Sequence, residues 1–288
     1  MSTPLTLRHG PLRCDLCPAL GGAIAGLWWR DLPVMRSTPG AELTSVRQSA
    51  SFPLVPFSNR IGHGQLQWDG TSHPLIRNFD PEPHTIHGIG WERSWTVLES
   101  TDNSALLSME HRADAAWPFD FDCSQTFRLG DGTLDLGLSV TNQGASPAPV
   151  GLGWHPYFVK RAGATVQFAA TGRWEMAADK LPTHRVPHAG LDQSTDTLTV
   201  DHCFDGWGGA LHLRDALMHI TVRSALSRLV VFTTSERDNI AVEPVSHVNN
   251  ALNLMATTGA SADSLGVQVL QPGESWSCSM QVTVEEQV

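Results

Sequence analysis

The sequence predicts an all-β fold of the sandwich or barrel type, and three observations support this prediction. Short alternating or apolar runs recur along the 288 residues, each bounded by Gly, Asp or Asn. The 25 glycines and 18 prolines are enough for many turns, as a fold of short strands requires. No window shows the sustained period of 3.6 residues that a helical fold would need. Strands joined by short, turn-rich links are typical of these architectures.

The predicted strands succeed one another along the whole chain. Residues 5–17 alternate, Gly21, Gly22 and Gly26 interrupt the pattern, and residues 27–35 resume it. Further predicted strands cover residues 95–98, 105–111, 124–129, 133–141, 165–169, 210–213, 219–224, 229–234 and 275–284. The step Gly130-Asp131-Gly132 supplies the positive φ that a tight hairpin needs, so the runs on either side of it are expected to pair. Only residues 251–256 suggest a short helix.

Composition bounds both the organisation and the partners of the chain. The sequence carries no fixed-period repeat, low-complexity tract or linker, which predicts one domain over residues 1–288. Acidic residues outnumber basic ones by 29 to 19, for a net charge of −10, and no basic run occurs. Nucleic acids and anionic membranes are bound through clustered Lys and Arg, so neither is an expected partner. A neutral small molecule fits this charge balance better.

The N-terminal segment and the cysteines indicate a cytoplasmic protein. Residues 1–10 lack the charged and apolar regions of a signal peptide, and the apolar stretch at residues 17–29 is too short to span a bilayer. The five scattered cysteines are then expected to be free thiols. Cys14 and Cys17 form a C-x-x-C, but a strand places the two thiols on opposite faces, which favours packing over redox or zinc chemistry.

Two segments in the first third of the chain combine polar side chains in an unusual way. Ser58-Asn59-Arg60-Ile61 holds an arginine that serves either sugar hydroxyls or the carbonyls of its own loop. A glycine-rich loop then carries His84 and His87, three residues apart, before Trp91. A zinc site would need a third ligand, so hydrogen bonding to a polar ligand is favoured, with Trp91 as an apolar wall.

Two later segments carry candidate proton-transfer groups. His155 lies in the aromatic and glycine-rich run 151–158, and Pro156 biases it to an extended backbone. Such a histidine is either tuned for proton transfer or buried and bonded to backbone. Glu243 follows the apolar run 240–242, which predicts a buried carboxylate of raised pKa at a strand end, where Pro244 stops the strand.

Together these segments resemble the aldose 1-epimerase family, the galactose mutarotase-like proteins. The resemblance covers nearly the whole chain: the glycine-interrupted opening, S-N-R-I at 58–61, H-x-x-H-G at 84–88, G-x-G-x-H-P-Y-F at 151–158, and E-P with trailing asparagines at 243–253, in the family's order. It implies a large two-sheet antiparallel β-sandwich and an isomerase that interconverts the α and β anomers of free aldoses. It implies a small sugar as ligand and no cofactor or metal. A monomer or homodimer is expected.

The resemblance also implies roles for individual residues. Glu243 matches the family's catalytic base and His155 its catalytic acid. The residues expected to bind the sugar are Arg60, His87, Asp201, Asn59, Trp91 and Trp154. Asp205 is a rival to Asp201, because that match is looser. The His-Pro-Tyr-Phe sequence at 155–158 resembles broader bacterial members more than galactose-specialised ones, which leaves the preferred sugar open.

The implied mechanism is acid–base ring opening. Glu243 removes the proton of the C1 hydroxyl while an imidazolium at His155, on the opposite side, protonates the ring oxygen, and the roles reverse on closure. Three rival interpretations remain. They are an epimerase of a phosphorylated hexose, to which Arg77 and Arg93 would contribute, a sugar-binding protein without catalysis, and a glycosidase using Glu243 and Asp201.

Overall fold

The computed structural model describes residues 4–287, and strands make up most of its regular structure. The strands, numbered in chain order, are β1 Leu5–His9, β2 Leu12–Cys17, β3 Ala23–Trp29, β4 Leu32–Pro33, β5 Pro53–Leu54, β6 Arg60–Ile61, β7 Gln65–Trp68, β8 Thr71–Pro74, β9 Thr85–Ile86, β10 Thr96–Ser100, β11 Ser104–His111, β12 Phe121–Gly130, β13 Thr133–Asn142, β14 Ala148–Val150, β15 Gly153–Trp154, β16 Tyr157–Val159, β17 Thr165–Ala169, β18 Gly172–Met176, β19 Pro182–Pro187, β20 Gly190–Ser194, β21 Val200–Asp205, β22 Ala210–Arg214, β23 Met218–Ser224, β24 Arg228–Thr233, β25 Asn239–Val245, β26 Gln268–Leu270 and β27 Ser275–Glu286.

Helices are short by comparison. The α-helices are α1 Ala251–Thr258, where the sequence suggested one, and α2 Ala262–Leu265. Single 3₁₀ turns cover Val46–Gln48, Gly62–Gly64 and Gly90–Glu92. Within residues 4–287, none of the helices has the length and apolar character needed to cross a membrane.

Two large antiparallel sheets dominate the fold. One has nine strands in the order β10-β11-β12-β13-β27-β23-β22-β17-β20, and the other has the order β19-β18-β21-β24-β25-β15-β5, with β16 also paired to β25. Along β12 and β13 every second residue is buried, as expected for a sheet with one face on the core. Both sheets contribute to one hydrophobic core, for example through Leu136 and Val242. The predicted all-β sandwich of antiparallel sheets is confirmed.

Of the predictions near turns, one is confirmed and two are corrected. The hairpin at Gly130-Asp131-Gly132 is confirmed, since Gly130 pairs with Thr133 and Gly132 has a φ of 72°. Residues 5–17 form two strands rather than one, because the chain reverses at Gly10, where φ is 53°. Gly26 does not interrupt its strand. It lies inside β3, where the ring of Trp28 covers the position that a Cβ would occupy, so a larger residue would clash.

The strand that carries Glu243 also differs from the prediction. Pro244 does not end it, because β25 continues to Val245, which pairs with both Arg228 and Gly153. All seven residues of β25 are buried. A carboxylate within this strand is therefore held away from solvent by the sheet itself.

The five cysteines are free thiols, as predicted. Cys14 belongs to the main core, whereas Cys17 packs in a small separate cluster with Ala25 and Leu43. The two thiols of the C-x-x-C thus lie on opposite sides of β2. Burial raises the pKa of Cys17 to about 11, which keeps this thiol protonated at neutral pH.

Candidate active site

One face of the eight-stranded sheet forms the floor of a cavity of about 370 Å³. Neighbouring strands bring side chains together in two rows, two residues apart along each strand. The first row consists of Cys203, Val230, Glu243 and His155, and the second of Asp201, Phe232, Ala241 and Tyr157. Because side chains alternate along a strand, both rows point to the same face. Three members of each row line the cavity, and so both predicted catalytic residues reach it.

His155 and Glu243 are direct neighbours in the first row. The pairs Gly153–Val245 and Tyr157–Ala241 fix the register of this segment, which puts His155 opposite Glu243. The distance from His155 Nε2 to Glu243 Oε1 is 3.2 Å, and the hydroxyl of Tyr157 lies 3.4 Å from the same Nε2. Glu243 Oε2 is buried and has no hydrogen-bond partner within residues 4–287. The two groups therefore lie side by side, rather than on opposite sides of the cavity as expected.

Burial disfavours charge on both members of this pair. It raises the pKa of Glu243 well above its usual range, with a further rise from the Asp201 carboxylate and an opposing effect from Arg60. It lowers the pKa of His155 well below its usual range, and the neighbouring His87 and Arg36 lower it further. In the free cavity burial therefore favours a pair that carries one titrating proton and no net charge. The expected imidazolium at His155 forms only by taking that proton from Glu243.

Arg60 is fixed in the cavity wall by a carboxylate that the sequence analysis missed. Its Nε donates to Glu82 Oε1 at 3.0 Å and its Nη2 to Glu82 Oε2 at 3.4 Å, while Nη1 donates to Asn59 Oδ1 at 3.0 Å. All three residues line the cavity. The two-point contact orients the guanidinium plane, so Arg60 presents its remaining N–H groups in a fixed direction.

Of the two histidines in the H-x-x-H-G segment, only His87 reaches the cavity. The N–H of Asn59 donates to its Nδ1 at 3.2 Å, so the neutral ring carries its proton on Nε2 as a donor. Burial and nearby Arg60 lower the pKa of His87 to about 3. His84 is fully buried instead, with Nδ1 accepting from the N–H of His63 at 2.9 Å and Nε2 lying 2.8 Å from the carbonyl of Asp179. His84 thus has a structural role.

The structure distinguishes the two candidate aspartates. Asp201 lines the cavity from the second row, and its Oδ2 lies 3.2 Å from Lys180 Nζ. Asp205 lies four residues further along β21, at the far end of that strand. There it forms ion pairs with Arg185 at 2.8 Å and with Arg228 at 3.3 Å. Its carboxylate is occupied by these two arginines, so Asp201 is the candidate ligand residue.

The predicted tryptophans differ in position. Trp91 lines the cavity, where its ring lies 5.6 Å from that of Phe52. Phe52 also lies against His155, with a centroid distance of 4.7 Å. Trp154 was predicted to bind the sugar, but it does not line the cavity. Its side chain is 2% exposed and belongs to the hydrophobic core. Trp154 precedes His155 in an extended segment, so the two side chains point to opposite faces.

The sequence analysis did not identify several residues that line the cavity, because these residues come from segments that are distant along the chain. They are Arg36, Arg47, Phe52, Glu82, Lys180 and Arg237. Arg77 and Arg93, which the rival interpretation of a phosphorylated substrate would use, line a separate cavity together with Glu92. Within residues 4–287 no group of three His, Cys, Asp or Glu side chains is arranged to hold a metal ion.

Comparison with known proteins gives a consistent family assignment. The family model for aldose 1-epimerase matches residues 4–283. The uncharacterized protein YphB of Escherichia coli K12 is 38% identical over 172 residues, which span 60% of this chain and 57% of that protein. A crystal structure of an E. coli K12 protein named "Putative aldose 1-epimerase" superposes with a TM-score of 0.88 at 28% identity, covering 99% of both chains. A galactose mutarotase-like protein of Clostridium acetobutylicum gives 0.85 at 18% identity, covering 99% of this chain and 95% of the other, and thus shares the fold.

Proposed function

The chain belongs to the aldose 1-epimerase family, and on this basis we propose that it interconverts the α and β anomers of an aldose by acid–base ring opening and closure. The observation that carries the proposal is the 3.2 Å contact between His155 Nε2 and Glu243 Oε1. The hydroxyl oxygen at C1 and the ring oxygen of an aldose are bonded to the same carbon. An acid and a base that act on these two oxygens must therefore be neighbours, as these residues are.

The proton count of the pair matches the reaction. In ring opening, the Glu243 carboxylate takes the proton of the C1 hydroxyl, the C1–O bond of the ring breaks, and His155 gives its proton to the former ring oxygen. The pair holds one proton before the step, on His155, and one afterwards, on Glu243. Rotation about the C1–C2 bond and the reverse transfers then close the ring on the other face. The single shared proton is sufficient, and no net proton enters or leaves.

The residues around the acid–base pair suit a hydroxylated sugar ring. We assign to the Nε2–H of His87 and the oriented guanidinium of Arg60 the ring-oxygen side of the sugar, where they would stabilise developing charge. Asp201 would accept hydrogen bonds from hydroxyls remote from C1, which holds the rest of the sugar while C1 rotates. Trp91 and Phe52 supply apolar surface for the C–H face of the ring.

The other parts of the assignment stay predictions. These are an isomerase that needs no cofactor or metal, a cytoplasmic location, a monomeric or homodimeric state, and one domain over residues 1–288. A sugar-binding protein of the same fold remains the alternative without catalysis. Two buried titratable groups in contact with each other and facing a cavity favour catalysis, because a binding role alone would not require their cost of burial.

Polarimetry tests the proposal directly. Freshly dissolved α-D-glucose and α-D-galactose are followed with the wild-type protein, with Glu243→Gln, and with Glu99→Gln as a control on an exposed strand position. We expect the wild type and the control to speed the approach to the same final rotation, and Glu243→Gln to lose about 10²–10⁴-fold in rate. Equal rates for Glu243→Gln and the wild type would refute the base assignment. Release of nitrophenol from aryl glycosides would point to a glycosidase instead.

A further inference from the structure

The cavity carries an excess of positive charge in a chain that is acidic overall. The net charge of the chain is −10. The basic residues that line the cavity are Arg36, Arg47, Arg60, Lys180 and Arg237, and the acidic ones are Glu82, Asp201 and Glu243. Five cations thus face three carboxylates. A neutral ligand does not account for this local reversal of charge.

Two of these five cations form ion pairs with carboxylates of the cavity lining. Arg60 pairs with Glu82 and Lys180 with Asp201. Within residues 4–287, none of the guanidiniums of Arg36, Arg47 and Arg237 has a carboxylate oxygen within 4.0 Å. Asp238, which follows Arg237 in the chain, accepts a hydrogen bond from Asn239 Nδ2 at 2.6 Å instead. These three residues are called the arginine cluster below.

Aromatic rings position the arginine cluster. The guanidinium of Arg36 lies 3.9 Å from the centroid of the Tyr157 ring, that of Arg47 lies 3.7 Å from Phe79, and that of Arg237 lies 4.5 Å from Phe232. Arg36 also donates from Nε and Nη2 to the carbonyl oxygen of Ser49 and from Nη2 to that of Arg47, so two of its three nitrogens are engaged by backbone. Stacking on a ring occupies the face of a guanidinium and leaves its N–H edge for an anion, which applies most directly to Arg47 and Arg237.

The location of the cluster indicates which part of a sugar it would meet. Arg36 stacks on Tyr157 and Arg237 on Phe232. Both aromatic residues belong to the second row of the cavity floor, next to the row of His155 and Glu243. Two residues of a strand separate these rows by about 7 Å, which is on the scale of one sugar ring. His155 is the group assigned to the ring oxygen, and C6 of a hexose is attached to the carbon on the other side of that oxygen. A substituent at C6 therefore lies on the His155 side of the ring, at a distance within reach of the second row.

From this arrangement we infer that the preferred substrates are aldoses with an anionic group at C6, a phosphate or a carboxylate, which the arginine cluster binds. The inference rests on the proposed function for the reaction itself and adds the class of substrate. Charge-assisted, bidentate contacts from guanidinium suit both anions. Asp201 remains available to hydroxyls, because Lys180 offsets its charge.

Anomer exchange measured by NMR tests the inference. D-glucose, D-glucose 6-phosphate and D-glucuronic acid are compared at equal concentration, with spontaneous exchange subtracted. The proteins are the wild type, Arg237→Gln, Arg47→Gln and, as a control, Arg223→Gln, an exposed arginine in the nine-stranded sheet. We expect a higher kcat/KM for an anionic sugar than for glucose. Each cluster variant should reduce that ratio by about tenfold or more, the effect of one charge-assisted hydrogen bond, and the control should leave it unchanged.

The outcomes separate this inference from the proposed function. Exchange of glucose at a rate equal to or above that of both anionic sugars would support the mutarotase and overturn the anionic substrate. Acceleration with none of the three sugars would overturn the proposed function. In that case calorimetry with glucose 6-phosphate, glucuronic acid and inorganic phosphate decides the binding claim separately, and tight binding of an anionic sugar that weakens in Arg237→Gln would support it. A preference for the phosphate or the carboxylate identifies the anion, whereas a cluster variant with an unchanged ratio refutes the role of that arginine.

Discussion

His155 and Glu243 face each other across two neighbouring antiparallel strands, with 3.2 Å between Nε2 and Oε1. The N–H of Val242 donates to the carbonyl of Pro156, and the N–H of Ser246 donates to that of Leu152. His155 and Glu243 therefore form a pair without backbone hydrogen bonds between them, the arrangement in which facing side chains come closest.

Two prolines flank this pair, one on each strand. Pro156 follows His155 and Pro244 follows Glu243. A proline has no N–H, so each of the two backbone pairs beside the site lacks one possible hydrogen bond. Pro244 can remain inside β25 because its nitrogen faces only the short segment at Trp154. Pro156 and Pro244 therefore have the same effect on either side of the acid–base pair, because each removes one backbone hydrogen bond from the sheet.

The first prediction concerns how the two residues share their function. His155→Gln should lower kcat by about 10²–10⁴-fold, as expected for loss of an acid–base group. The double variant His155→Gln/Glu243→Gln should be little slower than the slower single variant, because the pair works with one proton and either loss disables it. Polarimetric rates for the four proteins give the comparison, and His212→Gln in the nine-stranded sheet is the control. Multiplication of the two single effects in the double variant would contradict a shared proton.

The second prediction is the pH profile of kcat/KM. A second proton on the pair creates a buried positive charge. Because burial lowers the pKa of His155, the acid limb should lie below the usual histidine pKa of about 6.5. Loss of the only proton creates a buried negative charge, and because burial raises the pKa of Glu243, activity should persist to well above the usual glutamate pKa of about 4.3 before it falls. Rates measured across this range, with spontaneous mutarotation subtracted, check both limbs. An acid limb at pH 6.5 or higher would be inconsistent with a buried neutral His155.

The third prediction separates His87 from His84. His87→Gln should raise KM by about 3–10-fold, the value of one hydrogen bond to a ligand, and change stability less than His84→Ala, because a glutamine oxygen can still accept from the N–H of Asn59. His84→Ala should lower the free energy of unfolding by about 1–3 kcal/mol, because the N–H of His63 and the carbonyl of Asp179 lose their partners. Urea denaturation and KM are measured on both variants. His87→Gln should change mainly KM, and His84→Ala should change mainly the free energy of unfolding. The reverse pattern would show that His84 contacts the sugar.

The sequence was most informative where local chemistry decides the structure. The turn at Gly130-Asp131-Gly132 and strand β17 occur at their predicted positions. Strands β18, β19 and β20 were missed, since most of their residues are exposed or half-buried and carry no regular apolar alternation. Pro244 was misinterpreted for a related reason: whether a proline ends a strand depends on the neighbouring segment, which one strand's sequence does not contain.

The candidate site shows the same division. The four motifs lead to Arg60, His87, His155 and Glu243, which all reach one cavity. Glu82 and Arg36 lie outside the four motifs, and the residues that they contact in the cavity are distant along the chain. The net charge of −10 gave no sign of the basic residues that line this cavity, because charge is distributed unevenly over the surface and the lining of one cavity cannot be obtained from a sum over the chain.

The last prediction concerns Glu82 as a positioning residue. A glutamine at this position keeps the shape of the side chain but replaces two charge-assisted contacts to Arg60 with at most one neutral one. Glu82→Gln should therefore raise KM for a neutral aldose by about 3–10-fold through a misdirected guanidinium, with a smaller change in kcat. Glu82→Asp should recover less than the wild-type affinity, because its side chain is one methylene shorter and holds the carboxylate too far from Nε and Nη2.

The control for this prediction is Glu110→Gln, a glutamate that pairs with Arg112 at 3.6 Å on the exposed face of the nine-stranded sheet. Thermal stability should fall more in Glu82→Gln than in Glu110→Gln, because the ion pair of Glu82 is mostly buried whereas that of Glu110 is exposed. Removal of the Glu82 charge also increases the positive charge of the cavity by one unit. KM for glucose should accordingly rise more than KM for glucose 6-phosphate. An equal rise for both sugars would indicate that Glu82 supports the fold of its loop and not the direction of Arg60.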